Sequence, residues 1–243
     1  MIYILYNPAA NNNRGEDTAL GLKNRYEGQE TSFLNVRDIS DMRAFLSCRS
    51  AEDTVILAGG DGTLNHFVND IGDEEYTFPV CYYPAGSGND FCVDVTGAAT
   101  ADAPFDIRPY LRALPTVTVN GKDYKFINGI GYGIDGYCCE VGDKLRETSD
   151  KPVNYAGIAI KGLLFHFKPC AATVVVDGKE YKYKKVWLAP TMNGRYYGGG
   201  MKVTPEQNRL NEERTVSVCV MHGSGKLKTL CVCPSLFQGE HVK

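Results

Sequence analysis

No apolar stretch in this sequence approaches the roughly 18 residues that a transmembrane helix requires. The nearest candidate, Tyr155 to Phe167, is short and is interrupted by Lys161. The opening Met1-Ile2-Tyr3-Ile4-Leu5-Tyr6-Asn7-Pro8 has neither the basic start nor the apolar core of a signal peptide. The expectation is a cytoplasmic chain that meets a membrane, if at all, from its inner surface. An excess of basic residues is missing too: the formal net charge is −3. That argues against nucleic acid as a partner, because phosphate backbones are bound through clustered Lys and Arg. There is no C-x-x-C pair and the four histidines are scattered, which argues against a zinc site. The nine cysteines read as reduced thiols used as small hydrophobes. Internal repeats and low-complexity tracts are lacking, and Asn11-Asn12-Asn13 reads as a polar loop.

What is present is a chain of 243 residues, 43% hydrophobic and 23% charged, enough for one large or two small domains with real cores. Over the first hundred residues, short apolar runs alternate with helical patterns. The runs are Ile2–Tyr6, Thr31–Val36, Thr54–Ala58 and Pro79–Tyr83; the helical stretches are Thr18–Tyr26, Asp41–Cys48 (after a Ser40 cap) and Thr63–Asn69. That order predicts a doubly wound parallel sheet with helices on both faces. After about residue 100 the pattern turns to strands at Thr116–Val119, Lys125–Ile130, Thr173–Val176, Val186–Thr191 and Thr215–Met221, with hairpin signals at Asn120-Gly121 and Asp177-Gly178. Only Val153–Phe167 reads as a substantial helix there. The expected fold is α/β: an N-terminal nucleotide-binding domain over 1–104, then a mainly antiparallel β-sandwich over 105–243.

Two loops carry the chemistry. Gly59-Gly60-Asp61-Gly62-Thr63 follows the run Val55–Ala58, and Pro84-Ala85-Gly86-Ser87-Gly88-Asn89-Asp90-Phe91 follows Val80–Tyr83. Both fall at carboxyl ends of parallel strands, where open α/β sheets bind ligands. Glycines let backbone N–H groups approach phosphate oxygens, and a helix starting near Thr63 points its positive end at the same place. An Asp in such a loop makes sense through Mg²⁺ or the water around it, because a carboxylate repels phosphate. Neither loop matches G-x-x-x-x-G-K-[ST], so a Walker-type site is excluded.

Gly59-Gly60-Asp61-Gly62-Thr63-Leu64-Asn65 resembles the G-G-D-G-T-[IL]-N signature of the diacylglycerol kinase catalytic-domain family. The loop Pro84 to Phe91 resembles that family's P-x-G-[ST]-x-N-D-[FL], and Tyr6-Asn7-Pro8 its opening [FY]-N-P. Phe126-Ile127-Asn128-Gly129-Ile130-Gly131 and Gly198-Gly199-Gly200 fit its second domain. The first motif is shared with NAD kinases and phosphofructokinases; the N-D-F loop and its spacing favour the lipid kinases, which include sphingosine and ceramide kinases.

The resemblance implies an ATP- and Mg²⁺-dependent kinase acting on the hydroxyl of diacylglycerol or a related lipid at the membrane surface. Its site would lie in the cleft between the two domains, and bacterial relatives often form homodimers. Asn7, Gly59, Gly60, Asp61, Gly62, Thr63 and Asn65 would contact the nucleotide, with Gly86, Ser87 and Asn89 helping to hold it. Asp61, Asp90 and Asp106 would form the acidic, water-linked network around Mg²⁺, with Asp61 and Asp90 nearest the metal. Arg14 would reach a phosphate, Lys161 would occupy the family's basic position, and Leu163, Leu164, Phe165 and Phe167 would wall the acyl chains. Two departures stand out. The stretch Pro205 to Glu212 has Asn211-Glu212 near the place where many members have a D-G whose Asp is tied into a structural metal site. No D-G-E occurs in residues 213–243, although the family's tail supplies one, with its Asp as general base for the lipid hydroxyl. The expectation is therefore a chain truncated within the sandwich, and the alternative to a kinase is a non-catalytic nucleotide- or lipid-binding protein.

Overall fold

β1 (Ile2–Tyr6), β2 (Thr31–Asn35), β3 (Thr54–Gly59) and β4 (Val80–Pro84) run parallel in a computed structural model that describes residues 1–148 and 153–242. The sheet order is β2-β1-β3-β4-β5, with β5 (Phe105–Asp106) antiparallel to β4 at one edge. Val55 to Ala58 on β3 are all fully buried, as a strand covered on both faces must be. Alternation then divides the core. Leu5 and Leu57 pack with Leu64, Phe67, Val68, Ile71, Tyr82 and Phe91, whereas Ile4 and Ile56 pack with Leu22.

The connecting helices are α1 (Ala10–Asn13), α2 (Gly15–Arg25), α3 (Met42–Ser47), α4 (Asp61–Ile71), α5 (Asp90–Thr96) and α6 (Arg108–Leu111). α1 is a single turn in which Asn11 and Asn12 are left-handed, a conformation that Asn tolerates better than other residues with a Cβ. The expected Ser40 cap on α3 is corrected by one residue. Asp41 is extended and its Oδ1 accepts from the Ala44 N–H at 2.9 Å.

The chain forms two compact units. The first comprises Met1–Asn128 with Asn193–Gly200 and Asn208–Thr215; the rest forms the second. Within the first, β6 (Thr116–Val119) and β7 (Lys122–Lys125) make a hairpin around Asn120 and Gly121, both at positive φ as a type I′ turn demands. In the second, β8 (Gly129–Ile130), β11 (Thr191–Met192) and β12 (Ser217–Val218) form an antiparallel sheet in the order β12-β11-β8. β9 (Cys170–Val176) and β10 (Lys179–Val186) pair antiparallel around Asp177-Gly178. The overall class is the expected one, a helix-covered parallel sheet followed by antiparallel sheets.

The second unit is richer in helix than its sequence suggests. Besides α8 (Tyr155–Lys161), which a π-helical turn extends over Gly162–His166, it holds α7 (Ile134–Thr148) and α9 (Lys226–Gln238). Gly136 and Gly142 weaken the helical signal of α7. Gly142 is there for close packing, since a Cβ on it would come within 2.6 Å of the Tyr155 ring. Pro234 inside α9 hides that helix from a propensity reading. The strand expected over Lys125–Ile130 is two strands, β7 and β8, because Phe126 to Asn128 are not extended and the first unit ends at Asn128. The strand expected over Thr215–Met221 shrinks to Ser217–Val218.

Leu57 sits at the centre of the parallel sheet, so Leu57→Ala is expected to lower unfolding stability by about 2–5 kcal/mol. Val119→Ala, on the exposed β6, is expected to change it by under ~0.5 kcal/mol. Urea titration followed by circular dichroism checks both.

Candidate functional site

Gly59 is the last residue of β3 and is in register with Pro84, the last residue of β4. The two glycine loops therefore leave the sheet at the same level. The Gly59 carbonyl accepts from the Tyr82 hydroxyl and from the Ala85 N–H, both at 2.8 Å. Gly60 is extended and α4 begins at once at Asp61. A Cβ on Gly86 would lie 2.5 Å from the Gly60 Cα, and a Cβ on Gly60 would lie 3.0 Å from the Gly86 Cα. The two loops thus touch backbone to backbone, which only glycine permits on both sides. Gly59 is held for a different reason: its Cβ would strike the Thr63 side chain. Gly62 has open space around it: among the described residues, nothing beyond its chain neighbours and its own helix backbone lies within 4 Å of a Cβ placed there.

Side chains fix the loops from three directions. Asn7, at the end of β1, donates from Nδ2 to the Thr63 Oγ1 at 2.8 Å and accepts from the Ala9 N–H at 3.1 Å. Asn65 accepts from the Ile127 N–H at 3.1 Å. Asn89 is left-handed at φ 54° and clamps its own loop. Its Oδ1 accepts from the Gly86 N–H at 3.0 Å, and its Nδ2 donates to the Gly86 and Ala99 carbonyls at 3.0 and 2.9 Å. Ser87 is exposed on the same loop.

Because the Asn89 side chain is turned inward, it does not cap α5. Asp61 caps that helix instead. Its Oδ2 accepts from the Asp90 N–H and its Oδ1 from the Phe91 N–H, each at 2.8 Å, and Oδ1 also accepts from the Asn128 Nδ2 at 2.9 Å. Asp90 continues the pattern. Its buried carboxylate accepts from the N–H groups of Gly199 and Gly200 at 2.8 and 2.7 Å. Gly198, Gly199 and Gly200 all have positive φ, a conformation that gathers successive N–H groups into an anion-holding concavity. Burial pushes the Asp90 carboxyl up to about 6, with the neighbouring charges of Asp61 and Asp94 adding to it and the two glycine N–H bonds opposing it.

One turn further along α5, Asp94 is buried between two guanidinium groups. Arg195 Nε reaches its Oδ1 at 2.5 Å and Arg209 Nε reaches its Oδ2 at 2.7 Å. Arg209 also donates to the Ile127 carbonyl at 2.9 Å and to the Asn128 Oδ1 at 3.1 Å, and lies 4.8 Å from the Phe91 ring centroid. A Cβ on Gly194 would collide with both Arg209 and Asp94.

The structure thus brings together Asn7, Gly59, Gly60, Asp61, Thr63, Gly86, Asn89 and Asp90. Asp106 is held elsewhere: Arg108 clamps its carboxylate, with Nη2 at 2.6 Å from Oδ2 and Nε at 3.0 Å from each oxygen. Arg14 is exposed at the start of α2, and Lys161 is exposed at the end of α8. Asn211 closes a loop onto Asn208 and Thr215. Of the proposed acyl wall, Leu163 is buried and Phe165 is 73% exposed. Sequence reasoning missed Asp94, Asn128, Arg195 and Arg209 as site residues.

As for Mg²⁺, every oxygen of Asp61 and Asp90 already accepts an N–H. A carboxylate has about four lone-pair sites, so each retains capacity for water. The two residues fit an outer, water-linked shell better than direct ligation.

Residues 1–112 match the diacylglycerol kinase catalytic domain, and residues 128–243 match the YegS C-terminal NAD kinase beta sandwich-like domain. A diacylglycerol kinase of Mycobacterium tuberculosis is 25% identical over 214 residues, covering 85% of this chain and 67% of its own length. The Bacillus subtilis protein YtlR is 28% identical over 207 residues, covering 78% of this chain and 64% of its own. The chain thus spans about two thirds of the length of these relatives. A solved diacylglycerol kinase structure from Bacillus anthracis superposes with a TM-score of 0.62 at 19% identity, over 97% of this chain and 80% of that one, which shows a shared fold.

Gly86→Ala is expected to destabilise the chain by about 1–3 kcal/mol, since backbone must move to admit the methyl. Gly62→Ala is expected to leave stability unchanged or slightly improved. Thermal melts of both variants check this.

The Asp90 carboxyl, raised above the ~3.9 of an unfolded aspartate, binds its proton more tightly in the folded chain. The stability this lends is full below about pH 4 and is lost as pH rises through about 6, by up to ~3 kcal/mol. Urea unfolding from pH 4 to 7 is expected to show this fall in the wild type and to lack that share of it in Asp90→Asn.

Proposed function

With its two parts matched in this way, the chain belongs to the diacylglycerol kinase catalytic-domain family, and we propose that it is an ATP- and Mg²⁺-dependent lipid kinase. It would transfer the γ-phosphate of ATP to the hydroxyl of diacylglycerol or a related lipid presented at a membrane surface. The observation that supports this reading most is the glycine-to-glycine contact of Gly60 with Gly86 at the common end of β3 and β4. It sets two loops of backbone N–H groups side by side, with the N-terminus of the 11-residue α4 behind them. Phosphate oxygens are the ligand that such an array holds best.

In this reading Gly60 to Thr63 hold the terminal phosphates, and the open space at Gly62 gives them room to approach. Asn7 orients the Thr63 hydroxyl at the same loop. Asp61 and Asp90 fix the loops and would hold the water around Mg²⁺, which when bound would neutralise charge on the transferring phosphoryl group. Asp106, committed to Arg108, is left outside this set. Among the described residues no helix is long and apolar enough to cross a membrane, so the lipid would be met at the surface. The exposed Phe165, in the π-helical turn after α8, would touch an acyl chain.

Transfer of labelled phosphate from ATP to a panel of lipids in mixed micelles tests the proposal. The wild type is expected to label at least one glycerolipid or sphingoid base, and Asp61→Ala to lose about 100-fold or more of that rate. Equal labelling by both proteins would contradict the assignment of Asp61.

A further inference from the structure

Arg209 is a charged side chain only 5% exposed, and nothing in the proposed chemistry so far accounts for it. Burying a guanidinium costs several kcal/mol unless its donors are satisfied. Here every direction of the fork is used: Asp94 on one side, the Ile127 carbonyl on another, and the Asn128 Oδ1 on the third.

Asn128 is the hinge of this arrangement. Its Oδ1 accepts from Arg209 at 3.1 Å while its Nδ2 donates to the Asp61 Oδ1 at 2.9 Å. Only one orientation of the amide can do both, because the carboxylate requires the N–H₂ and the guanidinium requires the oxygen. The charge count points the same way. Among the described residues Asp94 is the one carboxylate bonded to Arg195 and Arg209, which leaves a positive excess, and the next anion along the bonds is Asp61. A continuous path of hydrogen bonds therefore runs Arg195–Asp94–Arg209–Asn128–Asp61 and ends on the carboxylate that joins the two glycine loops.

We propose that Arg209 is a positioning residue of the nucleotide site, acting through Asn128 to hold the Asp61 carboxylate against the N–H groups of Asp90 and Phe91. The inference rests on the nucleotide reading given above and adds a control point contributed by the Asn208–Thr215 segment. Gly194 belongs to it as well, since its missing Cβ is what lets Arg209 reach Asp94.

The test measures Mg·ATP affinity by calorimetry, and melting temperature in parallel, for the wild type, Asn128→Ala, Asp61→Asn, their double variant and Arg209→Lys. Asn128→Ala is expected to weaken Mg·ATP binding about 10-fold. The double variant is expected to bind no more weakly than Asp61→Asn alone, because both changes break one path. Lysine can keep the charge opposite Asp94 but lacks the fork that also reaches Asn128 and Ile127. Arg209→Lys should therefore retain most of the thermal stability and still lose affinity about 10-fold. Unchanged affinity in Asn128→Ala, losses that multiply in the double variant, or affinity in Arg209→Lys that recovers together with stability would each overturn the assignment. A wild-type chain that does not bind Mg·ATP would overturn the nucleotide reading and this inference with it.

Discussion

Asp61 opens one helix and caps another. It is the first residue of α4, and its two oxygens receive the first N–H groups of α5, from Asp90 and Phe91. A carboxylate can take two consecutive amides only when the helix end is held at one distance and angle, so this contact sets the spacing of the loops that follow β3 and β4. The approach of Gly60 to Gly86 follows from it, and so does the need for glycine at both positions. Asn89 can stay folded into its own loop because another element has taken over its capping task. Asp90 then repeats the device, giving its N–H to Asp61 and its carboxylate to the Gly199 and Gly200 amides.

The energetics explain why acids are used so freely between these glycine loops. Withdrawing a carboxylate from water costs several kcal/mol, and hydrogen bonds to a charged group each return about 1.5–3 kcal/mol. Asp61 gathers three N–H donors and stays partly exposed. Asp90 gathers two and is buried, and there burial wins, which is why its carboxyl is pushed upward. Asp94 has two arginines, the stronger partner. The acids thus consume N–H groups that would otherwise be unsatisfied.

The parallel half of the molecule was legible because its signals are local. Apolar runs of five or six residues ending in Gly-Gly or Pro-Ala-Gly admit few readings, and the strands over Ile2–Tyr6 and Thr54–Gly59 fall where the runs do. The glycine loops were legible for the same reason. The helices α7 and α9 were not, since Gly142 and Pro234 serve close packing and chain geometry that no window of residues reveals. The Arg195–Asp94–Arg209 cluster was hidden by distance along the chain: its bonds join residues 101 and 115 positions apart. One clue was available. Asp90 and Asp94 are like charges four apart on one helix, which is unfavourable unless each has its own compensation, and the structure supplies glycine amides for the first and arginines for the second.

Amide hydrogen exchange with and without Mg·ATP addresses the central claim most directly, because it reads the backbone N–H groups themselves. The account requires new protection over Gly60 to Thr63 and Ser87 to Asn89 on adding the nucleotide, with little change in the β9–β10 hairpin. Protection that is absent from both glycine loops, or that appears only in the second unit, would contradict it.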